Sequence, residues 1–383
     1  MSEERLLKRA AVYSVLLMLF VFFFSYYNQS NKENVSYANE KESMNSENTT
    51  KNLSNNDEKL DGIYENLSGE WIDTLGKEDE NLRDIIGDKC IIIEKPVGLN
   101  RTTKLELEDL AVDSSIILTL SNPMQFSILH NQIKSYSDSV KSYNIAYGNV
   151  DVNGEYSIQI TFLLDTTYAY KIYEDNDNFY IALLQPKDVY EKIVVIDAGH
   201  GGIDSGTYSS GFEHLEKDMN LSMLLYLKEY LEQADFKVYY TRTTDRKLSL
   251  SQRVGLANAV NADLFLSIHC NASEDTTTNG IEVLYNEKQN ELTSFRSIDF
   301  AEICLDEVNQ LINKNNRGIV PRSQNVQIIG DAKVPVALVE VGFMSNTSDL
   351  NFLLQESNRK LVAKGIYNAI LRALEEIDSS VRN

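Results

Sequence analysis

The sequence predicts an α/β catalytic domain with a largely parallel sheet flanked by helices, preceded by an all-β domain and an N-terminal transmembrane helix. Three observations predict it. They are an uncharged apolar run near the N-terminus, period-two segments from about residue 61 to 190, and strand-like runs that alternate with helical patterns over 191–383.

Arg5, Lys8 and Arg9 precede an uncharged run from Ala10 to Asn31. Its apolar part, AAVYSVLLMLFVFFFSYY at 10–27, spans about 27 Å as a helix at roughly 1.5 Å per residue, close to the thickness of a bilayer core. The basic cluster leaves residues 1–9 as a cytoplasmic tail and places everything after the helix outside. The flank SYYNQSN offers no small-x-small cleavage site, which favours an uncleaved anchor over a signal peptide; cleavage would instead make the protein secreted. Residues 28–60 hold nine asparagines and no Phe, Ile or Trp. So little apolar surface cannot offset ordering entropy, and the stretch reads as a disordered linker.

Over 61–190 the pattern is short runs rich in Ile, Tyr and Thr, separated by Asn, Asp, Gly or Pro: CIIIEK (90–95), SSIILTL (114–120), QFSILH (125–130), EYSIQITFLL (155–164), TYAYKIY (167–173) and NFYIALLQ (178–185). This is the signature of a β-sandwich or barrel. No catalytic constellation is visible there. His130 stands on an apolar strand without an acidic or histidine neighbour and reads as structural. Tyr168, Tyr170, Tyr173 and Tyr180 read as strand packing rather than as a sugar-stacking face.

After Val189, strand-like runs at 193–197, 236–241, 263–268, 281–285 and 335–341 alternate with helices. MNLSMLLYLKEYLEQA sets Leu221, Leu224, Leu225 and Leu231 on one helical face, SLSQRVGLANAVNA follows residue 249, and helical runs cover roughly 294–315 and 347–377. Near-continuous apolar strands between helices imply a sheet covered on both faces, with ligands at the carboxyl ends of its strands.

Composition narrows the chemistry. Thirty-six basic against 57 acidic residues leave a net charge of −21, which disfavours nucleic acid as a partner. Cys90, Cys270 and Cys304 are scattered and lack CxxC spacing, so neither a disulfide framework nor a thiolate zinc site is indicated. Two of the four histidines, however, end strands: His200 follows IVVIDAG in a glycine-rich loop, and His269 closes DLFLSIH. The glycines leave room for a ligand or metal. Glu340 lies near the end of PVALVEV, and Glu216 opens the amphipathic helix after GFEHL. Two imidazoles and a carboxylate from separate elements match the three protein ligands of a catalytic zinc site. Glu213 and His214 compete for the place of Glu216, Asp197 and Asp204 flank His200, and Glu282 rivals Glu340. Asp204 is better explained as a loop residue bonding backbone amides.

DAGHGGIDSGTYSSGFEHLEKDMNL, SIHCNA and ALVEVGFMSN resemble the three signature blocks of the zinc-dependent N-acetylmuramoyl-L-alanine amidases of the amidase-3 type, bacterial cell-wall hydrolases. The likeness covers roughly 192–378 in the right order, with DSGT where the family often has DPGA. The resemblance implies Zn2+ held by His200, Glu216 and His269, and Glu340 as the catalytic carboxylate that takes a proton from attacking water and delivers it to the departing nitrogen. The substrate it implies is peptidoglycan, cleaved between N-acetylmuramic acid and L-alanine of the stem peptide. Asn271 is then a candidate donor to the oxyanion or a loop stabiliser, and Arg253 a structural ion-pair former rather than a substrate clamp. The 70 residues between His269 and Glu340 read as a strand, one helix and a turn, without an inserted plug. The β-rich region resembles the wall-targeting domain found ahead of such amidases. Another zinc amidohydrolase or peptidase, or a catalytically inactive wall-binding protein, are the alternatives; the sequence names no protein regulator.

Overall fold

The computed structural model describes residues 72–74, 87, 89–96, 104–135, 138–148, 150, 154–175, 177–209, 213–289 and 295–381. The expected tail, transmembrane helix (10–27) and linker (28–60) lie outside the described residues. Among the described residues no helix is long and apolar enough to cross a membrane.

Among the described residues nine strands form the β-rich region: β1 (Ile72–Thr74), β2 (Cys90–Glu94), β3 (Lys104–Leu110), β4 (Ser115–Asn122), β5 (Ile133–Ser135), β6 (Val140–Tyr147), β7 (Tyr156–Leu164), β8 (Ala169–Glu174) and β9 (Asn178–Leu184). They make two sheets, in the orders β1-β8-β9-β2-β5 and β3-β4-β7-β6. Pairing is antiparallel except between β1 and β8. Ile91 and Ile93 from one sheet share a core with Leu118, Leu120, Ile160 and Phe162 from the other, which is the packing of a sandwich. The four tyrosines Tyr168, Tyr170, Tyr173 and Tyr180 are buried, as strand packing requires.

Three details differ from the sequence reading. The strand expected over 125–130 does not form. Phe126 and Ile128 alternate inward, but the segment pairs with no strand and ends in a 3-10 turn at His130–Gln132. His130 is accordingly exposed, with its Nδ1 3.3 Å from the Tyr143 hydroxyl. Strands β1, β3, β5 and β6 are additional; of these, KLELEDL buries Leu105 and Leu107 between outward charges, and VKSYNIAY is half-buried at most.

A short helix, α1 (Pro186–Val189), leads into the α/β region. There the strands are β10 (Ile193–Ala198), β11 (Lys237–Tyr240), β12 (Leu264–Asn271), β13 (Ile281–Tyr285), β14 (Asn316–Pro321) and β15 (Val336–Phe343). The helices are α2 (Glu216–Leu231), α3 (Leu250–Ala259), α4 (Ser297–Ile312), α5 (Gln327–Gly330), α6 (Thr347–Leu354) and α7 (Glu356–Val381). The sheet order is β11-β10-β12-β15-β13-β14. From β11 to β15 the strands are parallel; β13 runs antiparallel to β15 and β14 parallel to β13, so the sheet is mixed.

The pleat divides this sheet into two faces. Val194, Ile196, Leu264, Leu266, Ala337 and Val339 pack with Leu224 and Leu227 of α2 and with α4 and α7. Ile193, Val195, Phe265, Val336 and Leu338 pack on the other face with Val254 and Ala257 of α3 and Ile328 of α5. Two covered faces explain why these strands are apolar at nearly every position. On α2 the buried stripe is Met223, Leu224, Leu227 and Leu231, whereas Leu225 is exposed. The helix expected over 347–377 breaks at Gln355, whose extended backbone separates α6 from α7; Arg359 and Asn358 donate to the freed carbonyls of Leu353 and Phe352. Between His269 and Glu340 the chain adds β14 and the one-turn α5 to the expected strand and helix.

The two regions meet at the turn after β3. Ala111 is buried in the same core as Val195 and Val254, and the Arg246 guanidinium grips the Asp113 carboxylate through three contacts of 2.8–2.9 Å. Two residues earlier, burial pushes the Asp109 carboxyl up to about 6, against the opposing influence of the Lys237 charge. The folded chain therefore holds that proton more tightly than the unfolded chain, and stability falls as pH rises from about 4 to about 6 and stays lower above. Asp109→Asn is expected to stabilise the protein at about pH 7.5 by on the order of 2 kcal/mol and to change little at about pH 4. Melting curves at the two pH values check this, and an equal shift at both removes Asp109 as the source.

Candidate metal centre

The site is assembled at the carboxyl edge of the mixed sheet. His200 stands two residues beyond β10, and its backbone is left-handed at φ 60°, which a side-chain-bearing residue adopts only when its surroundings hold it. Two buried arginines do so. Arg253 on α3 donates to the Ala198 carbonyl at 2.7 Å and the His200 carbonyl at 2.7 Å. Arg242 donates to the Ala198 and Gly199 carbonyls, both at 2.8 Å, and to the Lys217 carbonyl at 3.0 Å. Three consecutive carbonyls of the turn thus point at guanidinium groups rather than at water.

The charge of Arg253 is balanced by Asp197, the last polar side chain of β10 and wholly buried, 2.6 Å away. Thr241 and Ser267 each donate to the same carboxylate at 2.6 Å. Burial pushes the Asp197 carboxyl up, but Arg253 and the two hydroxyls outweigh it and hold the group ionised. Arg253 is therefore the structural ion-pair former expected from the sequence, and Asp197 belongs to that pair.

Glu216 is the first residue of α2, where the helix dipole favours a carboxylate. A bridge between Tyr208 and Leu215 closes the preceding loop and delivers it. Its Oε1 lies 2.8 Å from His269 Nδ1 and its Oε2 3.3 Å from His200 Nε2. The Thr207 and Cys270 amides and the Asn220 side chain also donate to this carboxylate, at 2.8, 3.2 and 3.1 Å. Burial opposes its charge, but the bonds from His200 and His269 outweigh burial and hold it well below the usual carboxylate range. At His200 burial works against the proton while Glu216 and Asp204 work for it, and the balance lies upward.

Ligand atoms of His200, Glu216 and His269 lie within 4.8 Å of one another, the one such group among the described residues. The donor set fits a divalent ion of zinc's kind: two imidazoles and one ionised carboxylate from three elements. His200 Nδ1 is 3.0 Å from Asp204 Oδ1, which leaves Nε2 to face the centre, and Asp204 also accepts from the Gly206 amide at 3.2 Å. Asp204 is thus a loop residue and also an orienting partner of a ligand, a role not visible in the sequence. The glycines make room for the ligands themselves. A Cβ at Gly199 would fall 2.3 Å from His269 Nε2, and one at Gly206 would fall 2.4 Å from Glu216 Oε2. Glu213 and His214 do not join the group.

Glu340 sits on β15 directly beside His269 on β12. Its side chain is partly buried, and its Oε2 is buried with no hydrogen-bond partner among the described residues. Burial pushes its carboxyl well above the usual range, and the charges of Glu216 and Glu282 push the same way. Glu282 lies opposite Glu340 on β13, but its own oxygens are taken: Oε1 accepts from Asn271 Nδ2 and Oε2 from Arg317 Nε, both at 2.9 Å. Asn271 accepts the Ala272 amide through its other side-chain atom at 2.8 Å, the loop-stabilising geometry. The three cysteines are free and buried.

Residues 194–372 match the family model described as N-acetylmuramoyl-L-alanine amidase, Amidase_3. Over 183 residues the chain is 33% identical to the N-acetylmuramoyl-L-alanine amidase CwlM of Bacillus licheniformis, covering 47% of this chain and 68% of that one. Over 199 residues it is 32% identical to a germination-specific N-acetylmuramoyl-L-alanine amidase of Bacillus subtilis, covering 48% and 81%. The catalytic domain of CwlV from Bacillus (Paenibacillus) polymyxa var. colistinus aligns with a TM-score of 0.44 and 34% identity over 48% of this chain and 98% of that domain. A three-ligand metal group at the carboxyl edge of an α/β sheet, within a segment that aligns with most of such enzymes' length, makes this chain a member of the N-acetylmuramoyl-L-alanine amidase family.

Proposed function

We propose that this chain hydrolyses the amide between N-acetylmuramic acid and the L-alanine of the stem peptide, with zinc held by His200, Glu216 and His269 and with Glu340 as the catalytic carboxylate. One observation carries the reading: a buried, partnerless carboxylate oxygen on the strand next to a three-ligand cluster. Bound zinc supplies Lewis acidity, which makes water acidic near neutral pH and polarises an amide carbonyl.

Glu340 supplies the proton transfers. Its carboxylate accepts a proton from water as the water oxygen bonds to the carbonyl carbon. It then gives that proton to the nitrogen as the carbon–nitrogen bond breaks and the bonding pair leaves with the amine. Burial and the charges of Glu216 and Glu282 make this carboxylate a stronger base than an exposed glutamate, which favours the first transfer. Asp204 keeps the His200 ring oriented, and the amides of Thr207 and Cys270 hold the Glu216 carboxylate in place.

The substrate sets the compartment. Peptidoglycan lies outside the membrane, so the catalytic region is extracytoplasmic, residues 10–27 anchor it, and the β-rich region before it serves attachment to the wall. The basic residues ahead of the apolar run support that orientation.

Glu340→Gln is expected to keep its full zinc content and lose at least about a hundredfold in kcat on purified peptidoglycan, read by mass spectrometry of released intact stem peptides. Activity equal to the parent's excludes Glu340 from the reaction. His269→Ala is expected to lose most of its zinc in elemental analysis while melting as one folded protein; unchanged zinc content removes His269 from the ligand set. Arg253→Met strands the Asp197 charge in the interior and is expected to destabilise the fold by about 3 kcal/mol or more, with denaturant melts as the measurement.

A further inference from the structure

The strand order β10-β12-β15-β13-β14 lines up a row of polar side chains along the carboxyl edge of the sheet: His200, His269, Glu340, Glu282 and Arg317. His269 pairs with Glu340, and Glu340 with Glu282, so these three stand on the same face of the pleat. Arg317, on the edge strand β14, reaches back to Glu282.

The Arg317 guanidinium is held but not used up. Its Nε donates to Glu282 Oε2 at 2.9 Å, and its Cζ lies over the Phe343 ring, 4.9 Å from the centroid. The two Nη groups, four of its five N–H donors, have no partner among the described residues, and about a third of the side chain is exposed. A pair built only to neutralise Glu282 would meet that carboxylate side by side through two nitrogens. Instead Glu282 divides its oxygens between Arg317 and Asn271, which in turn belongs to the strand of His269. The fork is therefore fixed in position and turned outward.

Resting on the amidase reading above, the direction of the reaction says which part of the substrate passes it. The metal ligands come from β10, α2 and β12, and the acid that protonates the departing nitrogen comes from β15. The nitrogen carries the peptide, so the peptide leaves the centre on the β15 side and runs over β13 and β14. Adjacent strands are about 4.8 Å apart, which puts the Arg317 head on the order of 10 Å from the ligands. An extended peptide covers that in about three residues at roughly 3.5 Å each. Along that path lie the carboxylates of Glu340 and Glu282, which repel an anion. We propose that Arg317 binds a carboxylate of the stem peptide, two to three residues from the scissile amide, and so selects substrates that carry that charge.

The test uses the full chain loaded with zinc and soluble N-acetylmuramoyl peptides in three forms: all carboxylates free, internal carboxylates amidated, and the C-terminal carboxylate amidated. The parent protein is expected to show a KM about tenfold to a hundredfold higher for one amidated form, with kcat little changed, and that form identifies which carboxylate is bound. Arg317→Gln is expected to bring the free form to the same high KM and to erase the difference. Arg317→Lys, which keeps the charge without the fork, is expected to fall between. A parent enzyme indifferent to both amidations, or an Arg317→Gln variant that loses the same factor on all three forms, overturns the proposal. Calorimetric binding of the released peptides to parent and variant keeps the two readings separate. If no substrate is hydrolysed the amidase reading falls, while carboxylate-dependent binding lost in Arg317→Gln still upholds the Arg317 assignment and its absence overturns it.

Discussion

The Asp197–Arg253 ion pair is the interaction on which the rest of this site depends. Both groups are out of water, so neither is stabilised by solvent, and removing either leaves a buried charge. What makes the pair tolerable is the hydrogen bonding around it. Asp197 takes two hydroxyls, and Arg253 also donates to the carbonyls of Ala198 and His200. Those last two bonds are the functional ones. A strand that ends by turning sharply exposes carbonyls with no ladder partner, and buried carbonyls need donors. Arg253 and Arg242 supply them, and the turn they stabilise holds His200 in its left-handed conformation.

The remaining ligands follow from the sheet's geometry. Parallel strands bring their carboxyl ends to one edge, and the period of two sends Asp197, Ser267, His269, Glu340 and Glu282 to a single face. The opposite face carries Val194, Leu266 and Val339 into the larger core. Glu216 reaches the same edge from a helix start, where amides are unpaired by construction and the dipole favours its charge. Ligand chemistry and packing are therefore interleaved residue by residue along the same strands, which is why a one-residue slip in β12 would remove the site and the core together.

Much of this was legible in the sequence, and the reason is local. His200 and His269 follow apolar runs that can only be buried strands, so their position at strand ends can be read without knowing the strand order. Glu216 before an amphipathic helix and Glu340 near the end of a strand are readable in the same way. What was not legible depends on pairing between distant segments. Asp204 looked like a turn residue because its second partner, His200 Nδ1, is defined only once the loop folds back. Arg242 and the amides of Thr207 and Cys270 carry no sequence signal for what they hold. Strand β14 was missed because NRGIVP, with Gly318 and Pro321, is an edge strand that buries no residue fully, and its place comes from pairing with β13. The segment 125–130 erred in the other direction: its alternation is real, but inward-facing side chains do not make a strand when no neighbour offers a ladder.

The junction between the β-rich region and the site can be argued from magnitudes. Arg246 and Asp113 are each about one-third exposed, and a pair so placed contributes at most about 1 kcal/mol. Burying Ala111 in the core beside Val195 adds a comparable amount, so neither contact accounts for the stability of either region. Their value lies in what the neighbouring residues touch. Asp245 accepts the Gly202 amide at 2.7 Å, and Lys217, adjacent to the ligand Glu216, donates to both Asp245 and the Gly202 carbonyl at 2.6 and 2.9 Å. The loop that receives Asp113 is thus the loop that braces the glycine turn behind His200 and the first turn of α2. Weak bonds suffice for this because they restrict orientation in a loop already confined at both ends. The β-rich region and the turn behind His200 consequently share one bracing segment, residues 242–247, through hydrogen bonds at its two ends.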